Sequence, residues 1–276
     1  MGDTADGGGM SDREEGLAWQ VGVWDRISQI YWSEIERRFE PVVDAVLVRA
    51  DLQAGDRVLD VGTGTGAVAE KAAVALGSGG HVLAVDISPE MLALARRRAD
   101  QAPVWFQVEE GSAESIPAAD ASFDVILSSL TFMYVIDRPS AARELARVLR
   151  PGGRLVGSVW AGPDSCDIVL FQQTAGAFAP LPPVPGVGPG ALADPQPFLQ
   201  DLARAGIDAQ VETEVLGFDF DDFASAWDAL AGVTTAMLPP ERQQEAQAAV
   251  RAAMWPNPDE PRHFHNTTQF TIGLRG

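Results

Sequence analysis

A predicted strand, a glycine-rich turn and a predicted helix follow one another between Arg57 and Leu76, in the sequence RVLDVGTGTGAVAEKAAVAL. The short, largely apolar run Val58–Val61 predicts a buried strand, and the alanine-rich segment after the turn predicts a helix. Glycine occupies alternate positions of the turn, at Gly62, Gly64 and Gly66. Because glycine has no Cβ, a ligand can approach such a turn closely, and the first N–H groups of the helix are available to an anion. The stretch is therefore expected to bind a small molecule.

Two kinds of ligand are compatible with the turn. Gly62, Gly64 and Ala67 match the loose G-x-G-x-x-G/A dinucleotide pattern, and Asp86 lies about where that pattern places an acid. The pattern alone does not decide between ligands. Asp60 argues against a pyrophosphate, because a carboxylate just before the first glycine repels phosphate, whereas it can pair with an ammonium group. S-adenosylmethionine fits better than NAD, since it carries one carboxylate, one ammonium and no phosphate.

Composition restricts the partners and the compartment. The formal net charge of -19 and the isoelectric point near 4.4 argue against a nucleic-acid or anionic-membrane partner, because phosphate binding needs clustered cations. The expected substrate is a small molecule. Cys166 is the single cysteine, so no internal disulfide is possible and a cytoplasmic location is expected. No stretch approaches the roughly 20 apolar residues of a membrane span, and the first sixteen residues lack the regions of a signal peptide.

Predicted strands and helices alternate after the glycine turn, which indicates a doubly wound, mostly parallel α/β sheet with right-handed crossovers. Two later strands are expected to add an antiparallel edge, giving seven strands. The predicted strands after the first are His81–Ile87, Val104–Glu110, Phe123–Leu130, Arg154–Trp160, Ala209–Phe220 and Thr267–Leu274.

Helical segments around this sheet are predicted to act as lids. Apolar residues at three- and four-residue spacing predict a helix from Leu17 to Glu40, and Pro41 is expected to end it and start a second helix to Ala50. Further lid segments are expected at 161–193, which is rich in proline, and at 221–262. The expected organisation is a mobile tail (1–16), an N-terminal helical lid (17–52), a cofactor-binding α/β core (53–161), and the rest of the sheet with substrate-lid insertions (162–276).

Five motifs occur in order between residues 57 and 156: VLDVGTGTG, VLAVDISPEML, EEGSAESIP, SFDVILSSLTFMYVID and LRPGGRLV. Their order and separations resemble those of the class I S-adenosylmethionine-dependent methyltransferases, particularly the small-molecule branch that includes menaquinone and ubiquinone biosynthesis enzymes. The resemblance implies a Rossmann-like fold with S-adenosylmethionine as cofactor.

The resemblance also implies a role for individual residues. Asp60 and the backbone of the glycine turn would hold the methionine moiety, Asp86 the ribose, Ile87 an adenine face, and the loop Ser112-Ala113 the adenine edge. Ser112 stands where the family commonly has aspartate, so looser cofactor binding is expected, since a neutral acceptor is weaker. The expected cofactor-binding residues are Asp60, Gly62, Thr63, Gly64, Gly66, Asp86, Ile87, Ser112, Ala113 and Ser128.

No catalytic base is obvious, because Phe132-Met133-Tyr134 stands where many relatives carry a histidine. His263 and His265 lie on one face if their segment is extended, which allows a structural role, a base or a metal ligand. No third ligand accompanies them, so no metal is predicted. Tyr31 is the third candidate for a catalytic residue. Its spacing of seven residues from Trp24 places both side chains on one helix face. This face is expected to cover the cofactor and the acceptor.

The expected function is S-adenosylmethionine-dependent methyl transfer to a small neutral or apolar metabolite or natural-product intermediate. Two alternatives remain open. The same fold can bind the cofactor and catalyse another reaction, such as a cyclisation, or it can serve as a non-catalytic binding or accessory protein. The oligomeric state is not predicted.

Overall fold

Seven strands form one sheet in the computed structural model, which describes residues 11–276. The strand order is β3-β2-β1-β4-β5-β7-β6, in which β1 to β5 run parallel and β7 is antiparallel to both of its neighbours. The predicted fold class is confirmed. The strands are β1 (Arg57–Val61), β2 (His81–Asp86), β3 (Gln107–Glu110), β4 (Phe123–Ser129), β5 (Leu149–Trp160), β6 (Ile207–Phe220) and β7 (Arg262–Arg275).

Ten α-helices surround the sheet within the described residues. They are α1 (Asp12–Ile30), α2 (Glu36–Ala50), α3 (Ala67–Leu76), α4 (Pro89–Gln101), α5 (Arg138–Val148), α6 (Asp167–Gly176), α7 (Gln196–Arg204), α8 (Phe223–Leu230), α9 (Gly232–Thr235) and α10 (Pro240–Met254). A π-helical turn (Tyr31–Ile35) joins α1 to α2, and a 3-10 turn (Phe132–Tyr134) follows β4. From residue 11 onwards, no helix has both the length and the apolarity needed to cross a membrane.

Side chains alternate between two cores on opposite faces of the central strands, as the two-residue period of a strand requires. Leu59 and Ile126 belong to one core. Val58, Val125 and Leu127 belong to the other, which also contains residues of α2 and α3. Both faces of β1 and β4 are therefore buried, which explains why these strands are nearly continuous apolar runs.

The N-terminal helix begins earlier than predicted. Ser11 and Glu14 form a capping box, in which the Ser11 hydroxyl accepts from the Glu14 N–H at 3.3 Å and the Glu14 carboxylate accepts from the Ser11 N–H at 2.8 Å. This pair fixes the helix start. Residues 12–16 of the predicted mobile tail are consequently helical, while residues 1–10 of that tail lie outside the described residues.

The prediction that Pro41 divides the N-terminal helices is wrong. Pro41 lies inside α2, and the change in helical geometry occurs earlier, at the π-helical turn. Proline removes the hydrogen bond to the carbonyl four residues before it, here that of Arg37. Arg37 and Pro41 are both exposed, so the lost bond lies on the solvent side of the helix, where water can replace it.

The antiparallel edge is longer than predicted. β6 and β7 pair continuously from Ile207 opposite Arg275 to Phe220 opposite Arg262. The pairing explains why β7 begins at Arg262 and not at Thr267: the residues before Thr267 also find backbone partners in β6.

Candidate active site

One cavity lies at the carboxyl ends of the parallel strands, beside the point between β1 and β4 where the strand order reverses. Its volume is about 1120 Å³, including the part of its mouth that opens to solvent. Ligands of open α/β sheets bind at this position. The sheet contributes strand ends and the loops that follow them: Val61, Gly62, Gly64, Asp86, Ile87, Gly111, Ser112, Ala113, Ser129, Leu130, Thr131 and Trp160.

The glycine turn is held against the sheet by its backbone. The N–H groups of Gly62 and Thr63 both donate to the carbonyl of Val85, at 2.8 and 2.9 Å. Gly62 has φ +69°, and a Cβ on it would lie 2.2 Å from Cγ2 of Thr131. Gly64 has φ +55°, yet a Cβ there would meet no atom within 4 Å. Thus Gly62 is required by packing, whereas the backbone at Gly64 borders open space that a ligand can occupy.

Asp86 ends β2 and lines the cavity, as predicted. Its carboxylate accepts from the N–H of Gly64 at 2.8 Å and from that of Ser88 at 2.9 Å, which fixes its orientation. Burial raises the pKa of Asp86. Sequence reasoning missed Asp25, whose carboxylate accepts from the Ser88 hydroxyl at 2.6 Å and so joins α1 to the start of α4 beside Asp86.

Asp60 lies beneath the turn, fully buried and outside the cavity lining. Its Oδ2 accepts from the hydroxyl of Thr63 at 2.6 Å, while its Oδ1 is buried without a hydrogen-bond partner among the described residues. Burial, together with the charge of Asp86, raises the pKa of Asp60 to about 7. A buried carboxylate oxygen without a donor fits a cationic group of a bound cofactor, because a cation would stabilise its charged form.

The other predicted cofactor residues divide into two groups. Ile87, Ser112 and Ala113 line the cavity. Thr63 is buried and borders a smaller adjoining cavity, and Gly66 packs against Phe106 and Ala95.

Ser128 was predicted to bind the cofactor, but the structure does not place it in the cavity wall. It is fully buried, and its hydroxyl donates to the carbonyl of Val61 at 2.9 Å, so it holds β4 against β1. The next two residues, Ser129 and Leu130, line the cavity instead. Leu130 has φ +58°, an unusual backbone conformation for a non-glycine residue, at the point where the chain leaves β4.

Aromatic side chains form the opposite wall. Trp24 meets Tyr134 edge-on at 4.9 Å and Tyr31 at 6.4 Å, measured between ring centroids. The side-chain amide of Gln20 donates to the carbonyl of Tyr134 at 2.5 Å. These contacts place α1 against the turn that follows β4. Trp24 and Tyr31 lie on one face, as predicted, and both line the cavity.

The two candidate histidines do not reach this cavity. Both are exposed near the start of β7, with ring centroids 4.7 Å apart, and Nδ1 of His263 lies 2.7 Å from Oδ1 of Asp219. The extended geometry was predicted correctly, but Phe264 between them is fully buried, so the alternation of the strand turns both histidines to solvent. Among residues 11–276, no group of three or more histidine, cysteine or acidic side chains is arranged to hold a metal ion.

Tyr31 is the one candidate that borders the cavity. Burial, followed by the negative charge of Glu36, raises its pKa above the ordinary value for tyrosine. Burial has the same effect on Tyr134. Both hydroxyls therefore remain protonated at neutral pH, so they are available as hydrogen-bond donors and not as bases.

Fold and site together define a Rossmann-like α/β protein with a small-molecule site at the topological switch of its sheet. Residues 59–157 match the family described as a methyltransferase domain. A nocamycin O-methyltransferase from Saccharothrix syringae is 34% identical over 233 residues, which are 77% of this chain and 79% of that protein. The chain belongs to the class I S-adenosylmethionine-dependent methyltransferase family.

Two further similarities extend the comparison. An uncharacterised protein of Mycobacterium tuberculosis is 35% identical over 125 residues, which are 45% of this chain and 44% of that protein. The aligned part is therefore less than half of the length of this relative. The crystal structure of the YcgJ protein of Bacillus subtilis superposes with a TM-score of 0.62 over 84% of this chain and 97% of that one, at 22% identity, which shows the shared fold.

Proposed function

We propose that this protein transfers the methyl group of S-adenosylmethionine to a small, largely apolar acceptor. One observation carries the proposal: a single cavity connects the glycine turn and Asp86 with a wall of aromatic and aliphatic side chains. A polar, backbone-rich end suits the cofactor, and an apolar end suits an acceptor without charge. The relative named for nocamycin O-methylation supports a natural-product acceptor.

The residues at the polar end suit S-adenosylmethionine. The backbone at Gly62 and Gly64 would hold the methionine moiety and Asp86 the ribose hydroxyls, while Asp60, which lies beneath the turn and outside the cavity lining, would act on the ammonium group through its charge. Ile87, Ser112 and Ala113 would hold the adenine. The cofactor supplies an activated methyl group on a sulfonium, a good leaving group. The two carboxylates stabilise a cationic ligand, and neither favours the phosphates of NAD.

Alignment of the acceptor and exclusion of water are the main contributions that this cavity can make. Holding two reactants in line contributes roughly 7–11 kcal/mol in well-oriented cases. No histidine lines the cavity among the described residues, and the two tyrosines stay protonated. The carboxylates of Asp86 and Glu114 are the ionisable acceptors that remain in the wall for an acceptor that must lose a proton.

The N-terminal helix is proposed to act as a lid over the reaction. α1 contributes Leu17, Gln20 and Trp24 to the cavity wall, and it contacts the rest of the wall through side chains. Such contacts can open without breaking the sheet. Closure would exclude water from the sulfonium and align the acceptor.

Two measurements test the proposal. Calorimetry is expected to show binding of S-adenosylhomocysteine and no binding of NAD; micromolar NAD binding without a response to S-adenosylhomocysteine would overturn it. Incubation of the protein and radiolabelled S-adenosylmethionine with fractionated small-molecule extracts is expected to label an apolar product. Tight S-adenosylhomocysteine binding without any labelled product would instead favour a reaction such as cyclisation, or an accessory role.

A further inference from the structure

Thr65, a residue of the glycine turn, is held from two sides by helices that surround the sheet. It is only 1% exposed. Its hydroxyl donates to the carboxylate of Glu36, the first residue of α2. Its carbonyl accepts from Nε of Arg98, on α4, at 2.9 Å. The glycine turn therefore cannot shift at this residue without breaking a hydrogen bond to α2 or to α4.

Arg98 also fixes the carboxylate that Thr65 contacts. Its guanidinium pairs with Oε1 of Glu36 and, at 2.7 Å, with Oε2 of Glu70 on α3. The side chains of Arg98 and Glu36 are 14% and 20% exposed, so this pair is partly removed from solvent. Because Oε1 of Glu36 faces Arg98, its Oε2 is fixed in the direction of the Thr65 hydroxyl.

The π-helical turn accounts for the position of Glu36. The N–H of Glu36 donates to the carbonyl of Tyr31, five residues earlier, which closes one wide turn. In a regular α-helix, residues five apart point about 140° away from each other. Here Tyr31 and Glu36 both border the smaller cavity beside the glycine turn. Turns of this kind are rare and occur frequently at functional sites, so the wide turn favours a functional role for the contact that it allows.

We propose that Glu36 is a positioning residue for the cofactor: its carboxylate holds the Thr65 hydroxyl and so keeps the glycine turn in the conformation that binds S-adenosylmethionine. The inference rests on the proposed function, since it takes the glycine turn as the cofactor site. Glu36 lies outside the wall of the main cavity and acts through Thr65. A hydrogen bond to a charged carboxylate is stronger than one between neutral groups, so its loss should weaken cofactor binding measurably.

Lys71 provides a matched control. It lies on α3, and its Nζ pairs with Glu40 at 2.7 Å and with Asp44 at 2.6 Å, both on α2. This cluster joins α2 to a neighbouring helix, as the pair of Glu36 and Arg98 does. Its three residues border neither cavity. Lys71→Gln therefore removes a charged contact of α2 without touching Thr65.

The test measures the dissociation constant of S-adenosylhomocysteine by calorimetry. Thr65→Val keeps nearly the same shape and removes the hydroxyl, and it is expected to weaken binding about tenfold. Thr65→Ser keeps the hydroxyl and should bind within about threefold of the wild type. Lys71→Gln should also remain within about threefold, because its ion pairs are exposed. Unchanged binding by Thr65→Val, or an equal loss in Lys71→Gln, would overturn the inference.

Glu36→Gln and the double variant with Thr65→Val complete a double-mutant cycle. If Glu36 acts through the hydroxyl, the double variant should bind about as weakly as the weaker single variant. A loss equal to the product of the two single losses would show that the residues act independently and would contradict the proposal. A wild-type protein that does not bind S-adenosylhomocysteine counts against the proposed function, whereas wild-type binding with an unchanged Thr65→Val variant counts against this inference alone.

A crystal structure of the wild-type protein with S-adenosylhomocysteine gives a test that does not depend on the folding of a variant. The Thr65 hydroxyl is expected within about 3.2 Å of the Glu36 carboxylate while the ligand lies against the glycine turn. A Thr65 hydroxyl turned away from Glu36, or a Glu36 carboxylate bound directly to the ligand, would contradict the assignment.

Discussion

The two walls of the cavity are held in place by different forces. The first wall, here called the cofactor cradle, consists of residues 61–66, 86–87 and 111–113, and hydrogen bonds from the backbone of the glycine turn to β2 fix it. The N–H groups of Gly62 and Thr63 donate to the carbonyl of Val85, and the N–H of Gly64 donates to the side-chain carboxylate of Asp86. The second wall, the aromatic cap, consists of α1, the π-helical turn, residues 132–136, α6, α8 and α9. Packing of rings and single side-chain hydrogen bonds hold the cap.

This difference has a functional consequence. The position of the cradle depends on strand register, which a substitution of one side chain on the cap cannot change. The cap consists of side chains on helices, so its shape can change while the sheet remains intact. One sheet can thus keep its cofactor site and accept different methyl acceptors. Cradle variants should accordingly lose stability or cofactor affinity, and cap variants should lose turnover.

The largest effect is expected for Gly62→Ala. The new Cβ would lie 2.2 Å from Thr131 Cγ2, at a φ of +69°. Overpacking and left-handed strain together should lower the free energy of unfolding by about 3 kcal/mol. Urea denaturation measures the loss, and calorimetry should detect no binding of S-adenosylhomocysteine.

Gly55→Ala is the matched control. Gly55 has φ +91° with no atom within 4 Å of an added Cβ, so only the strain remains. It should lower the free energy of unfolding by about 1 kcal/mol and leave binding unchanged. Equal losses in the two variants would show that the Thr131 contact is not what fixes the cradle.

The second prediction concerns Asp60 and pH. The pKa of Asp60 is raised to about 7 in the folded protein, so between about pH 4 and pH 7 the Asp60 carboxyl is protonated in the folded state and ionised in the unfolded state. The contribution of this proton to the free energy of unfolding is complete below the unfolded pKa, near 3.9, and is lost as pH rises to about 7. Asp60→Asn should remove this dependence. Between pH 4 and 7 the unfolding free energy of the wild type should fall by about 3 kcal/mol relative to the variant. Parallel curves would place the raised pKa on another group.

Trp24→Ala tests the cap. The substitution removes the ring that packs edge-on against Tyr31 and Tyr134. Turnover of the acceptor found by labelled transfer should fall about thirtyfold, which corresponds to about 2 kcal/mol, with the affinity for S-adenosylhomocysteine within about threefold of wild type. Trp19→Ala is the control, since Trp19 lies on the same helix, is 39% exposed and is outside the cavity wall. Comparable losses in both would mean that α1 acts through stability alone.

Asp86→Asn changes one atom of the cradle. The Asp86 carboxylate accepts hydrogen bonds from the N–H groups of Gly64 and Ser88, and in the variant one of these N–H groups would face an NH₂ group. The ribose hydroxyls would also lose a charged acceptor. Affinity for S-adenosylhomocysteine should fall at least about tenfold. Glu110→Gln is the control, because Glu110 pairs with Asp86 in the strand register but is exposed. Unchanged affinity of a folded Asp86→Asn protein would place the ribose elsewhere.

Sequence patterns predicted the cradle better than the cap, for a physical reason. In a parallel sheet, the residue that follows each strand must lie at the same edge, so locating the strands also located Asp86, Ile87, Ser112 and Ala113. Ser128 was placed wrongly although the predicted strand included it, because neighbouring side chains of a strand point to opposite faces and Ser129, not Ser128, lines the cavity. The two-residue period therefore limits the precision of such predictions.

The cap depends on contacts between distant segments that no local pattern specifies. Gln172 meets Leu230 across 58 residues, and Gln20 meets Tyr134 across 114. Asp25 contacts Ser88 in the same way, across 63 residues. One missed feature did have a local signal: Ser11 and Glu14 have the spacing of a capping box.

The smallest effect is expected for Tyr31→Phe, which keeps the ring of the cap and removes only its hydroxyl. Because burial holds the pKa of Tyr31 above its ordinary value, the hydroxyl can donate a hydrogen bond at neutral pH but cannot act as a base. Loss of one such bond should lower kcat/KM by about tenfold or less. The melting temperature should stay within about 2 °C of wild type, since the edge-on packing against Phe39 remains.

The pH profile distinguishes this role from base catalysis. If Tyr31 donates, the profiles of the wild type and Tyr31→Phe should have the same shape from pH 6 to 9 and differ only in height. A rising limb that disappears in the variant would identify a phenolate base and contradict the pKa argument. His263→Ala serves as the control, because His263 is exposed and paired with Asp219 away from the cavity, so its removal should leave both height and shape unchanged.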